Sequence, residues 1–326
     1  MPKLSVCLPT YSGASAFTNK IEYQELEAFV HAAEELGYTS ALAPDHFMSG
    51  GEGRQLEAWM LLSALAQSTD RIRIGALVLE VAHRNPAFVA KMAGTLDYLS
   101  GGRLDLGIGN GRFRTEEEAY GFGWLDSAKE RSERLTEAIL VMKTLFTNQK
   151  SFFDGKYYQL NDATCEPSPL QKPWPRLWID GDGSDDSFQI VAEHADTWNI
   201  SAEGSEDYSR NLSKLKDQCA SIGRDFGTIE KAIEVKTIIL NDDAESEKLI
   251  DWTRNRYHQS SNLPRGRPRG RTEADHLIST KFITGSADEC FQRVNEYVEA
   301  GAEHLAVNFL DYPRTDTLES FAQEYL

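Results

Sequence analysis

The chain has 326 residues, 40% of them hydrophobic, enough for one large domain or two ordinary ones with a full core. Its 34 Lys and Arg stand against 51 Asp and Glu, a net charge of −17. That balance argues against a general nucleic-acid or anionic-membrane surface, since both reward a basic patch. The opening MPKLSVCLPTYSG has too short an apolar run for a signal peptide, and no stretch approaches the roughly 20 apolar residues of a membrane span. An acidic, enzyme-like protein of the cytoplasm is expected. Cys7, Cys165, Cys219 and Cys290 stand far apart, with no C-x-x-C and no paired His spacing. Buried thiols are therefore expected, not a zinc site or a disulfide framework.

Apolar, strand-like segments alternate with amphipathic helices almost from end to end. Leu4 to Leu8 reads as a first strand. Leu26, Phe29, Val30, Ala33 and Leu36, spaced by three and four, read as a helix closed by Gly37. Ser40 to Ala43 follows as strand, Gln55 to Gln67 as helix, Ile72 to Leu79 as strand, and Pro86 to Leu99 as helix with proline in its first turn. Leu104 to Ile108 makes a fourth strand, and Leu135, Ile139, Met142 and Phe146 are the core stripe of the next helix. Residues 151–175 interrupt the rhythm with a hairpin around Asp154-Gly155 and a proline-rich run. It resumes with RLWID (176–180), a helix through Ala192, ADTWNI (195–200), a helix from about Asp207 to Cys219, and EVKTIIL (234–240). A helix near 243–256 precedes NLPRGRPRGRTEAD (262–275), read as a basic loop that is either a lid or simply solvated. Ser286 to Ala300 is a helix, HLAVNF (304–309) a strand, and the tail a last helix.

Eight strands, each followed by a helix, fit a single closed (β/α)8 barrel domain over residues 1–326, preferred to a doubly wound open sheet. Such a barrel builds its active site at the C-terminal ends of its strands. Those ends carry Thr10-Tyr11, Pro44-Asp45-His46-Phe47, Glu80 to Arg84, the glycines of LDLGIGNGRFRTEEEAYG (104–121), Asp180 to Ser184, Trp198-Asn199 and Asn308.

Gly107, Gly109 and Gly111 do not make the dinucleotide fingerprint, because arginines 112 and 114 stand where the third glycine belongs and three strands already precede. They are either the floor under a flat ligand or a tight turn that needs positive φ. Asp45-His46 is the sharpest polar pair, since histidine titrates near neutrality and a nearby carboxylate can set its tautomer. His83 and Arg84 lie in a comparable place or pair with the acidic surface, while His31 and His194 fall on helices. DGDGSDDS (180–187) suits equally a helix cap and a phosphate grip, with Asp182, Asp185 and Asp186 counting against the grip. Trp124, Trp174, Trp198, Phe113 and Tyr11 are candidates for an apolar pocket, or plain core. No triad order, HExxH or EF-hand loop supports a hydrolase or metal reading.

PDHF (44–47), IGALVLEVAHRNPAFVAKMAGTLDYLSGGRLDLGIGNG (74–111), PRLWIDGDG with VAEHADTWN (175–199), and ITGSADECFQRVNEYVEAGAEHLAVNF (283–309) resemble the bacterial-luciferase-like superfamily of flavin and deazaflavin oxidoreductases. The resemblance implies a (β/α)8 barrel, often a homodimer, holding FMN or coenzyme F420 at its mouth with the phosphate tail over strand five. The DHF motif resembles the deazaflavin branch, whose members transfer hydride. In the glucose-6-phosphate dehydrogenases of that branch the residue matching Asp45 lies against the cofactor, and the one matching His46 donates a proton. Glu80, Asn110, Gly111, Thr115, Gly181, Gly183 and Ser184 match cofactor contacts. A strand-three bulge with a cis non-prolyl bond is expected at Leu77-Val78, bringing both residues to the cofactor. Two positions depart from the pattern. Arg112 replaces the catalytic carboxylate of the sugar-phosphate enzymes, and Asp182 stands in the usually glycine-rich phosphate turn; Arg112, Arg114 or residues 265–271 are candidates to supply cationic contacts instead.

The leading expectation is an F420-dependent oxidoreductase acting on a small organic substrate, with His46 moving the accompanying proton. The alternative is a two-component monooxygenase that uses reduced FMN and oxygen and depends on a separate reductase. A third reading, a flavin-binding protein without turnover, is set apart by tight binding with no reaction across many substrates.

Overall fold

The computed structural model of the protein describes residues 1–48, 54–111, 113–181, 183–201, 204–259 and 271–326. β1 (Lys3–Cys7) leads into α1 (Tyr23–Leu36), β2 (Ser40–Ala43) into α2 (Ala58–Ser68), and β3 (Arg73–Ala76) with the two-residue β4 (Leu79–Glu80) into α3 (Pro86–Leu99). β5 (Leu104–Gly109) is followed by α4 (Arg114–Ala119) and α5 (Ala128–Thr147), and then by the antiparallel hairpin of β6 (Ser151–Asp154) and β7 (Gln159–Ala163). β8 (Arg176–Asp180), α6 (Asp185–His194), β9 (Thr197–Ser201), α7 (Ser205–Ser221) and β10 (Glu230–Ile239) come next. α8 (Asp243–Gln259), α9 (Arg271–Lys281), β11 (Ile283–Gly285), α10 (Ala287–Ala300), β12 (His304–Phe309) and α11 (Asp316–Tyr325) complete the chain. The eight expected strands are β1, β2, β3, β5, β8, β9, β10 and β12, and the fold is the expected (β/α)8 barrel.

Local chemistry explains the boundaries. Gly37 ends α1 at φ 93°, returning its N–H to the carbonyls of Ala33 and Glu34. Asn85 caps α3 through the amide of Ala87, with Pro86 at the first turn. Ser286 and Glu289 form a reciprocal capping box on α10. Where the structure departs from expectation the cause is visible. The helix expected from Gln55 starts at Ala58 because Gln55 bridges to Tyr11. The strand expected over 72–79 is broken by a cis peptide at Leu77-Val78, the bond the resemblance implied. Residues 262–270 of the basic loop lie outside the described residues, and Arg271 to Asp275 open α9 instead of continuing a loop. The short α4 and β11 were not expected.

Packing divides the chain into two compact units, residues 1–61, 200–212 and 231–326 in the first, residues 62–199 and 213–230 in the second. In the first, parallel strands run β11, β10, β12, β1, β2, with Val235 beside Val307, Val6 beside Val307, and Ser5 beside Ser40. One face meets the helices: Phe309 stands edge-on to Phe29 of α1 and Phe321 of α11, in line with buried Val307 and Leu305. The opposite face carries Ser5, whose Oγ lies 2.6 Å from His304 Nε2, and further along Cys7, Glu234 and Asn308.

In the second unit β5 lies between β3 with β4 on one side and β8 on the other, and β9 follows. Leu135, Ile139, Met142 and Phe146 are all buried, as their spacing predicts. At the N-terminal ends of the strands the fully buried Asp105 receives Arg73 Nε at 2.8 Å and Arg176 Nε at 3.0 Å; Arg176 also reaches Glu230 at 3.3 Å. All four cysteines are buried free thiols. Among the described residues no helix is long and apolar enough to cross a membrane.

Candidate active site

In the first unit, β2 is four buried residues long, so the chain leaves the barrel wall at Pro44 and sets Asp45 and His46 at the strand's C-terminal end. Asp45 is 1% exposed and His46 is half-buried. The loop after β1 is tied to the chain leading into α2: Gln55 Nε2 donates to Thr10 Oγ1 at 3.3 Å, and the Leu56 amide to the Thr10 carbonyl at 2.8 Å. Toward the ends of β9 and β12, Asn308 Nδ2 donates at 2.7 Å to Oε1 of Glu234 in the middle of β10, and Ser201 Oγ donates to its Oε2 at 3.1 Å.

In the second unit the glycines of LDLGIGNGRFRTEEEAYG (104–121) have separate reasons. Gly107 and Gly109 lie within β5, not in a turn, and a Cβ on Gly107 would collide with the Ala76 carbonyl. One on Gly109 would stand 2.7 Å from Val78 Cγ2. Their bare backbones admit the cis bulge of strand three. Only Gly111, at φ 83°, turns the chain, and a Cβ there would meet Glu117 Oε1 at 2.5 Å and Glu80 Oε2 at 3.0 Å.

Around that turn a polar cluster is buried. Glu80, His83, Glu117 and Arg134 are 9%, 7%, 1% and 8% exposed. Arg134 Nη2 lies 3.8 Å from Glu117 Oε2, and His83 packs on Phe122 with centroids 4.9 Å apart. Burial pushes the Glu117 carboxyl above its ordinary value, against the pull of Arg134 and His83. His83 is therefore an interior group and not a surface partner. Asn110 donates from Nδ2 to Ser132 Oγ at 3.4 Å, while its buried Oδ1 has no hydrogen-bond partner among the described residues. Thr115 is exposed on α4.

The turn after β8 shows helix capping directly: Ser184 Oγ accepts from the Ser187 amide at 3.3 Å, with Asp185 and Asp186 in the first turn of α6. Gly183 takes φ 81°, and a Cβ on Gly181 would strike the indole of the buried Trp198. Asn199 Nδ2 donates to Asp180 Oδ1 at 3.3 Å across the ends of β8 and β9. Arg112 and Asp182 lie outside the described residues. Arg114 is already committed to Glu118 at 2.7 Å and Asp126 at 2.9 Å.

The aromatic candidates separate. Trp198 packs on Phe188 of α6, and Trp174 sits under Lys143 with its Nε1 donating to Asp196, so both belong to the helix side. Trp124 is covered by the Arg131 guanidinium. His194 is structural: burial, then the nearby Lys143, push it down to about 4. A groove of about 240 Å³ is lined mainly by Leu240 after β10, Leu249 and Ile250 of α8 and Ile278 of α9.

Residues 2–304 match the luciferase-like monooxygenase family. The chain belongs to that family. This luciferase-like chain is 28% identical to the F420-dependent glucose-6-phosphate dehydrogenase of Segniliparus rotundus, over 97% of each chain. Its fold is similar to that of an F420-dependent secondary alcohol dehydrogenase in complex with an F420-acetone adduct, with TM-score 0.81, 19% identity, and 99% of this chain and 97% of that one covered. It is likewise similar to monooxygenase RslO1 from Streptomyces bottropensis, with TM-score 0.79, 19% identity, and coverage of 99% and 98%.

For a luciferase-like barrel the expected strand-end residues that the structure describes are thus placed, but three residues escaped the sequence reading. Glu117 is hidden in a run of three glutamates that reads as a solvated face, and Arg134 in a charged helix. Glu234 stands inside a strand whose alternation, charged between Ile233 and Val235, is the signal that could have found it.

Proposed function

We propose that this protein is a coenzyme F420-dependent oxidoreductase that exchanges hydride between the deazaflavin and a small organic substrate. The observation that carries the reading is identity over nearly the whole chain with an enzyme named for F420 dependence. The residues present fit such a group: Asn110 offers a buried Oδ1 without a partner among the described residues, next to the positive-φ turn of Gly111. Asp45, Leu77, Val78, Glu80, Asn110, Gly111 and Thr115 would hold its ring end, and Gly181, Gly183 and Ser184 its tail. When bound, F420 would supply the hydride acceptor or donor. His46, half-buried at the end of β2, holds or gives the proton that accompanies hydride transfer at the substrate oxygen.

Titration of the purified protein with F420 and with FMN, followed by tryptophan quenching, tests the reading. A lower dissociation constant for F420 is expected. Tighter FMN binding together with oxygen uptake in the presence of reduced FMN would instead favour the monooxygenase reading, which the shared fold with RslO1 supports and which needs a reductase partner. The same proposal places the protein in the cytoplasm as a homodimer; α3 leaves Phe88, Tyr98 and Leu99 exposed for such a contact, and light scattering of the purified protein reads its mass.

A further inference from the structure

Lys236 stands in the middle of β10, a strand paired along its length with β12, and its chain neighbours Val235 and Thr237 are buried. It is itself exposed. The face it occupies follows from alternation. Residues 233, 235 and 237 share a side, in register with Leu305, Val307 and Phe309, whose ring meets α1 and α11. Lys236 is therefore on the opposite side, with Glu234, and in register with Asn308 near the strands' C-terminal ends. The thiol of Cys7 on β1 confirms the placement: burial raises it, Glu234 raises it further, and Lys236 lowers it.

Such a cation has no structural use there. Glu234, the acid nearest it along the strand, has both oxygens taken by Asn308 and Ser201. Among the described residues the Lys236 side chain forms no hydrogen bond or ion pair. Its ammonium carries three donors on the face that Asn308 shares.

We propose that Lys236 binds the substrate, and that the group it takes is a carboxylate. Charge matching selects that group. A monoanion balances the single charge of Lys236, while Asn308 and Ser201 occupy the Glu234 oxygens. A phosphate dianion would bring a second negative charge beside Glu234 with no second cation to balance it. This deepens the oxidoreductase reading by naming its substrate class, and rests on it for taking the mouth as the substrate site.

The test is calorimetric titration with three matched probe pairs: pyruvate and acetone, propanoate and 1-propanol, benzoate and benzyl alcohol, with inorganic phosphate alongside. The carboxylate member of at least one pair is expected to bind at least tenfold more tightly than its uncharged counterpart. Lys236→Met should abolish that preference and Lys236→Arg should retain it. A preference that survives Lys236→Met, no preference in any pair, or phosphate binding more tightly than every carboxylate overturns the proposal. F420 titration of the same preparations keeps the two readings apart: loss of coenzyme binding by the wild type strikes the oxidoreductase reading, whereas the probe result stands or falls without coenzyme.

Discussion

Asp45 and His46 could be found from the sequence because a four-residue apolar strand ends just before them, so that strand-end geometry alone gives them a place. Their contribution is measurable. His46→Ala should lower F420-linked turnover by about 10²- to 10⁴-fold while leaving the F420 dissociation constant within a factor of about two; unchanged turnover at every pH would remove the proton-transfer role. Glu117 could not be found the same way, since nothing in TEEEA tells a buried glutamate from its exposed neighbours. The distinction comes from α4 folding back under Gly111 and pressing one carboxyl against Arg134. Its raised pKa fixes the sign of a pH effect. As pH rises from the ordinary glutamate range toward the folded value, the unfolded chain releases the proton first, so folding stability falls over that interval. Glu117→Gln should flatten that part of the profile, read as the urea midpoint against pH.

At the scale of elements, strands with an apolar centre were readable, RLWID with its charged ends included, but the charged start of β10 was not. β10 starts four residues before EVKTIIL because Glu230 pairs with Arg176 and Lys231 with Glu303, letting two charged residues enter a strand. β11 has only three residues and α9 follows a stretch rich in arginine and proline, so neither offers a period long enough to detect. The glycines of β5 were visible, but their purpose was not, because it depends on the backbone of the neighbouring strand. Gly107→Ala should therefore cost about 3 kcal/mol or more, its methyl meeting a fixed carbonyl. Gly109→Ala should cost less, since the end of the Val78 side chain can shift. Denaturation midpoints of the two variants give the comparison; equal losses would mean that the carbonyl contact is not decisive.

For the whole molecule, the eightfold alternation was enough to read the barrel and to point to the C-terminal strand ends, whereas the charges that stabilise the other end could not be paired from sequence. Asp105, Arg73, Arg176 and Glu230 are scattered over 158 positions of sequence, and only the parallel register of β3, β5 and β8 brings them together. Asp105 is fully buried while both arginine side chains keep less than a quarter of their surface. Asp105→Asn would leave two partly buried guanidinium groups without their shared counter-charge, a loss of about 3 to 5 kcal/mol. Because the network lies at the N-terminal ends of the strands, F420 affinity of the folded variant should remain within about twofold. A variant that stays folded yet loses coenzyme binding would show that the two ends of the barrel are coupled, and that the stabilising pole also shapes the mouth.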